Sequence, residues 1–191
     1  MADSEKTGAP RIELPPLPKD AIPIVPIRQV SLFPGTVMPI TIGRPASIAA
    51  AQEAVRSGHK VALLAQRDPA AEAPRPADLF EIGVLATVIR YVTTPDGAHQ
   101  LVCQGEDRFR VEEVLRETPY LAARITTIPE STATGPEIEA RFSFLRERAI
   151  EGLALLPQAP PELARLIAGI ESPAQLADLI ASFMDVKPAE K

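Results

Sequence analysis

Each of the five lysines can be tested for a phosphate-binding loop, which needs glycine-rich backbone running into Gly-Lys-Ser/Thr. Their predecessors are Glu5, Pro18, His59, Val186 and Glu190, so none follows glycine. A metal site would have to draw on His59, His99 and Cys103, the only histidines and the only cysteine. His99 and Cys103 lie four residues apart in a strand-like run, which separates them by about 13 Å. No carboxylate or second cysteine stands at ligand spacing, so no metal site is assigned. None of the eight serines sits in a G-x-S-x-G elbow, and two histidines are all that could serve as a base. Catalytic residues are therefore expected to be none, and no cofactor is implied in this chain.

Two features remain that could bind rather than react. Arg108 and Arg110 alternate onto one face of a strand with Phe109 and Val111 opposite. That pair could hold an anion or an acidic peptide, although a solvated outer face is the plainer reading. Leu32, Phe33 and Pro34 in a turn, Met38 on an edge strand and Leu79-Phe80 after a proline-rich loop are apolar where a small barrel need not bury them. They suit extended polypeptide held by edge pairing and shallow pockets. They equally suit side chains that plug the ends of a barrel, because a small domain needs every large residue in its core. Leu32, Phe33, Met38 and Phe80 are the candidate binding residues, with Tyr91 beside them if its long strand leaves it accessible.

The elements that must position these residues follow from composition and periodicity. The 191 residues are 46% hydrophobic and 24% charged, the balance of a globular protein. A net charge of -5, no tryptophan and 4% aromatics argue against nucleic acid as a partner. No apolar stretch is long enough for a membrane helix and no secretory signal opens the chain, so a cytoplasmic location is expected. The 21 prolines predict irregular connections and edge strands.

Residues 1–20 read as a flexible tail. From Ile22, IPIVPI and TVMPITI are short apolar runs, each broken by proline and so expected at sheet edges, joined by the Phe33-Pro34-Gly35 turn. A helix over residues 45–57 is predicted to bury Ile48, Ala51 and Val55, with Pro45 at its start and Gly58 as its C-cap. KVALLAQ (60–66) reads as a strand covered on both faces. EIGVLATVIRYV (81–92) and HQLVCQ (99–104) form a hairpin around Thr94-Pro95-Asp96-Gly97. RFRVEEVL (108–115) and YLAARITTI (120–128) add two strands, so that six or seven strands surround one helix in a closed or partly closed β-barrel.

Pro129 to Pro136 is a linker by composition, and the chain beyond it is helical. A first helix carries Ile138, Phe142, Leu145, Ala149 and Leu156 on one stripe, with Glu137 and Arg141 paired on the other side. A second spans 161–170. A third opens on Ser172-Pro173-Ala174-Gln175 and points Leu176, Leu179, Ile180 and Phe183 inward. Residues 185–190 look like the start of a fourth, so the bundle is expected to be truncated at Lys191. The division is a tail (1–20), a barrel lobe (21–129), a linker (130–136) and a bundle lobe (137–191).

PIVPIRQVSLFPGTVMPITIGRPASIAA (23–50) closely resembles the opening of the N-terminal domain of the ATP-dependent Lon protease. The resemblance continues through VALLAQRDPAAEAPRPADLFEIGVLATV (61–88), QLVCQGEDRFRV (100–111) and SPAQLADLIASFMDVKPAEK (172–191). It departs at Gln29, where that family usually has an acid. The resemblance implies an α+β fold: a PUA-like β-barrel with one short helix, then a C-terminal helical bundle. It implies a non-catalytic part that recognises unfolded or damaged proteins and supports hexamer assembly with other Lon subunits. The ATPase modules and the Ser-Lys protease dyad of the family lie beyond this sequence. The alternatives are a stand-alone protein built on the same domain and, behind it, a PUA-like barrel that binds RNA.

Overall fold

A computed structural model describes residues 17–28, 32–58, 60–94, 97–155, 161–186 and 190. Six strands come first: β1 (Ala21–Ile27), β2 (Val37–Ile42), β3 (Val61–Ala65), β4 (Ile82–Thr93), β5 (His99–Arg116) and β6 (Ala122–Ile128). Helix α1 (Pro45–Ser57) lies between β2 and β3, and α2 (Pro136–Ala154), α3 (Pro161–Ala168) and α4 (Pro173–Phe183) follow the strands. The strands form one mixed sheet in the order β2-β5-β4-β3-β1-β6, and β6 also pairs with β5. Hydrogen bonding thus runs from β5 through β4, β3, β1 and β6 back to β5, with β2 attached outside that circuit.

Of the two proline-bearing runs expected at sheet edges, one lies there. β2 pairs with β5 alone, an edge strand that Pro39 can occupy. β1 is interior, parallel to β3 and antiparallel to β6. It tolerates two prolines because neither meets a ladder that needs its N-H. The Ile24 N-H donates to Leu121 O (2.8 Å), so even-numbered residues of β1 face β6 and odd-numbered ones face β3. Pro26 lies past the paired stretch of β6, and Pro23 lies before that of β3.

The strands expected at 99–104 and 108–115 are one strand of 18 residues. Gly105 pairs with Ala86 and Asp107 with Leu85, leaving Glu106 as an extra residue at a bulge. Further shifts in register occur near Val111 and Val114. Such bulges bend a strand without ending it, which lets β5 serve β2 and β4 along its first part and β6 along its last. The hairpin joining β4 to β5 is present. Gly97 (φ 83) supplies the left-handed residue and Thr94 N-H bonds Ala98 O at 2.8 Å; residues 95 and 96 lie outside the described part.

Two apolar clusters flank the sheet. Val25, Ile27, Leu32, Ile40, Ile42, Val61, Leu63, Leu101 and Cys103 pack with α1 on one face, while Ile24, Leu64, Leu79, Leu85, Phe109 and Leu121 fill the other. β3 divides between them by period-two alternation, which is why it is buried on both sides. Helix α1 has the expected ends, with Gly58 (φ 66) as its cap; of its expected inward residues Ala51 is buried and Ile48 packs half-buried on the first cluster, while Val55 turns outward. Ser47, Ala50, Ala51 and Ala54 are buried and Val55 is 48% exposed, because alanines let the helix approach the sheet closely.

Among the three later helices, Ser172 Oγ caps α4 by accepting the Gln175 N-H, and Arg141 pairs with Glu137 at 2.7 Å. Leu176 is fully buried, whereas Phe183, expected inward, is 69% exposed. The tail before residue 17, Gln29, His59, Leu156 and most of the residues of the expected fourth helix that come after Val186 lie outside the described part.

Candidate functional site

The Leu32-Phe33 segment is held by its own turn and by β5. Gly35 takes φ 73, which L side chains avoid, and Thr36 Oγ1 both donates to Phe33 O (2.7 Å) and accepts from Phe33 N-H (3.2 Å). The turn then docks on Gly105: Gly35 N-H bonds Gly105 O, and Gly105 N-H bonds Thr36 O, both at 2.9 Å. A Cβ at residue 105 would stand 2.3 Å from Phe33 O, so only glycine permits this approach. Leu32 and Phe33 are buried as a result, at 4% and 7% exposure.

A second segment faces them. Gln66, 2% exposed, binds Asp68 O (3.1 Å) and Ala71 O (3.0 Å) through Nε2 and accepts from Arg44 Nη2, which fixes the loop after β3. Arg67 N-H bonds Asp78 O (2.8 Å), Arg67 Nε donates to Leu79 O (3.0 Å), and Phe80 N-H bonds Ala65 O (3.0 Å). The Arg67 guanidinium lies 4.8 Å from the centroid of the Phe80 ring. Gly83, at the start of β4, is as constrained as Gly105, since a Cβ there would meet Leu63 O at 2.2 Å.

Between these segments runs a groove of about 570 Å³. Leu32, Phe33, Ala65 and Val84 line it from below, with Phe80 and Ile82 alongside, and Ile82 is 46% exposed. Three arginines, Arg67, Arg108 and Arg110, and one acid, Glu81, complete the lining. Three of the five candidate residues therefore meet in one place. The other two do not. Met38 pairs with Cys103 and packs half-buried on the first cluster. Tyr91 packs on the same cluster, with its hydroxyl 2.7 Å from His99 Nδ1 and its ring stacked on the imidazole.

Arg108 and Arg110 do share the exposed side of β5, opposite Phe109, which is fully buried. The expectation of a solvated pair fails for Arg108. Its guanidinium forms a two-pronged ion pair with the carboxylate of Asp178 on α4, with Arg108 Nη1 donating to Asp178 Oδ2 at 3.1 Å. It also lies 6.0 Å from the Phe33 ring centroid. Asp178 is 5% exposed, a buried acid on α4. Arg110 is exposed, and its Nη1 is 3.9 Å from Glu81 Oε2, beyond hydrogen-bond reach. Gly83, Gly105 and Asp178 carry no signal in the sequence because each acts through a partner distant in sequence, and Gln66 because its loop contacts form only once the loop after β3 is folded.

The fold is that of the N terminal domain of Mycobacterium avium complex Lon protease, which superposes with a TM-score of 0.70 at 23% identity over 89% of this chain and 86% of that one. The Lon N-terminal domain protein from Xanthomonas campestris gives 0.53 at 16% identity. Membership is decided by sequence: residues 21–191 match the ATP-dependent protease La (LON) substrate-binding domain, and the chain belongs to that family. It is 53% identical over 173 residues to the Lon protease of Methylocella silvestris and 49% over 176 residues to that of Phenylobacterium zucineum. These alignments cover 91% and 92% of this chain but 21% and 22% of those proteins. The chain thus spans about a fifth of the length of the curated relatives it matches, within their non-catalytic, substrate-binding part.

Proposed function

We propose that this chain is the non-catalytic recognition domain of an ATP-dependent Lon-type serine protease, holding unfolded or damaged polypeptide for the machinery that unfolds and cuts it. The circuit of strand pairings supports reading the sheet as a PUA-like β-barrel lobe, and the three later helices as a bundle lobe joined to it through residues 130–136. Association with other subunits of a cytoplasmic hexamer belongs to the same reading. No helix among the described residues is long and apolar enough to cross a membrane.

The observation that carries the reading is the groove in which Leu32, Phe33 and Phe80 converge, open to solvent along Ile82. An unfolded chain offers apolar side chains that such a groove can shield, at an affinity limited by the entropy of ordering the bound segment. The test is binding of a fluorescent, permanently unfolded protein to the purified chain and to Phe80→Ser and Ile82→Ser. Phe33 is too buried for a clean test, whereas these two lie at the surface of the groove. Both variants are expected to melt near the wild-type temperature and to bind several-fold more weakly. Unchanged binding in the folded variants would place recognition elsewhere.

A further inference from the structure

Resting on that reading, we infer that the groove is charge-selective: it takes apolar polypeptide segments that carry an acidic side chain beside the apolar residue. Three arginines in its lining stand against one acid, in a chain whose formal net charge is -5. With the charge of Arg108 matched by Asp178, Arg67 and Arg110 against Glu81 still leave the groove net positive, against the sign of the whole molecule.

The three arginines are not equivalent. Arg108 is committed to Asp178 by two hydrogen bonds. Arg67 is held by Leu79 O through Nε and by the face of Phe80, which leaves its terminal nitrogens without an acceptor among the described residues. Arg110 has only Glu81, at 3.9 Å with both side chains largely exposed, a weak pairing. Two guanidinium groups thus flank an apolar floor with donors to spare, and Arg67 is already fixed in direction. A ligand carboxylate meeting Arg67 gains two parallel hydrogen bonds with little ordering left to do. A cationic ligand would gain only Glu81 and would meet both arginines.

The experiment uses the full 191-residue chain and three labelled peptides that share one apolar core and differ only in flanking Asp, Ser or Lys. The expected order is Asp tightest, then Ser, then Lys, with steps of roughly fivefold at low salt that shrink as salt is raised. Arg67→Gln/Arg110→Gln is expected to erase the order, bringing the Asp-, Ser- and Lys-flanked peptides to one common affinity. Glu81→Gln, at an exposed site, is expected to widen the preference for Asp. Equal affinity for all three peptides overturns the charge selectivity and leaves polypeptide recognition standing. Failure of all three to bind overturns recognition at this groove and the selectivity with it. An Asp preference that survives the double variant places the carboxylate site elsewhere. Single-stranded RNA that binds in an Arg67- and Arg110-dependent way, where the acidic peptide does not, would make the groove a nucleic-acid site and overturn the inference.

Discussion

Cys103 shows how far position outweighs residue type. It lies on β5 between β2 and β4 with its side chain fully buried in the first apolar cluster, and burial pushes the thiol up to about 11, since a thiolate there would lose its hydration. At neutral pH almost none is ionised, so Cys103 is expected to resist a thiol reagent in the native chain and to react promptly in urea; fast native labelling would refute this burial. Gly105 and Gly83 carry more weight than any candidate site residue, because backbone oxygens occupy the space of their missing Cβ atoms. Gly105→Ala is expected to cost about 1–3 kcal/mol in urea unfolding. It should also weaken polypeptide binding, because the Leu32-Phe33 turn must shift. A neutral result would mean that the turn does not depend on this contact. Neither glycine was legible in the sequence, where Gly83 lies inside an expected strand and Gly105 between two.

At the scale of elements, the long strands could be read from alternation and turn residues, while their partners could not. Pro23 and Pro26 argued for an edge, yet β1 is interior, since a missing N-H matters only where a ladder asks for it. The bulge at Glu106 hid the continuity of β5 in the same way. That residue has a role of its own: Lys60 and Thr87 both bind its carboxylate and hold its pKa below the ordinary 4.5. A carboxyl whose folded pKa is depressed adds stability that is complete above its unfolded value and is lost as pH falls through the folded one. Glu106→Gln is therefore expected to lower stability at pH 7 and to flatten the loss of stability on acidification below about pH 4.5. A titration of melting temperature against pH checks it, and parallel curves for the two proteins would rule the contribution out.

The ion pair between β5 and α4 belongs to both parts of the chain and makes its two partners unequal. Arg108 keeps 35% of its side chain exposed and Asp178 only 7%. Removing Asp178 leaves an arginine that can turn to water, whereas removing Arg108 strands a carboxylate in a dry site. Arg108→Met is accordingly expected to cost about 3 kcal/mol and Asp178→Ala about 1 kcal/mol. Equal costs, measured by urea unfolding, would show that Asp178 finds water when its partner is gone.

For the whole molecule, the two kinds of surface fall in different places. The arginine-lined groove lies among the strands, while Phe144, Leu155, Leu166, Phe183 and Met184 are exposed large apolar residues of the helical segment. Helical periodicity revealed the apolar stripes of that segment but not which of them would stay uncovered, because covering depends on helices packed from elsewhere. Large apolar side chains at 49% to 82% exposure are candidates for burial on association, and the proposed subunit contacts would draw on them. A second copy of the chain would present the same exposed residues. The mass from sedimentation equilibrium is therefore expected to rise with protein concentration. Leu166→Ser/Phe183→Ser should return it toward the monomer, with peptide binding at the groove unchanged. A chain that stays monomeric at all concentrations would remove the helical face from any account of assembly, and loss of peptide binding in the folded double variant would show that the two surfaces are not separate.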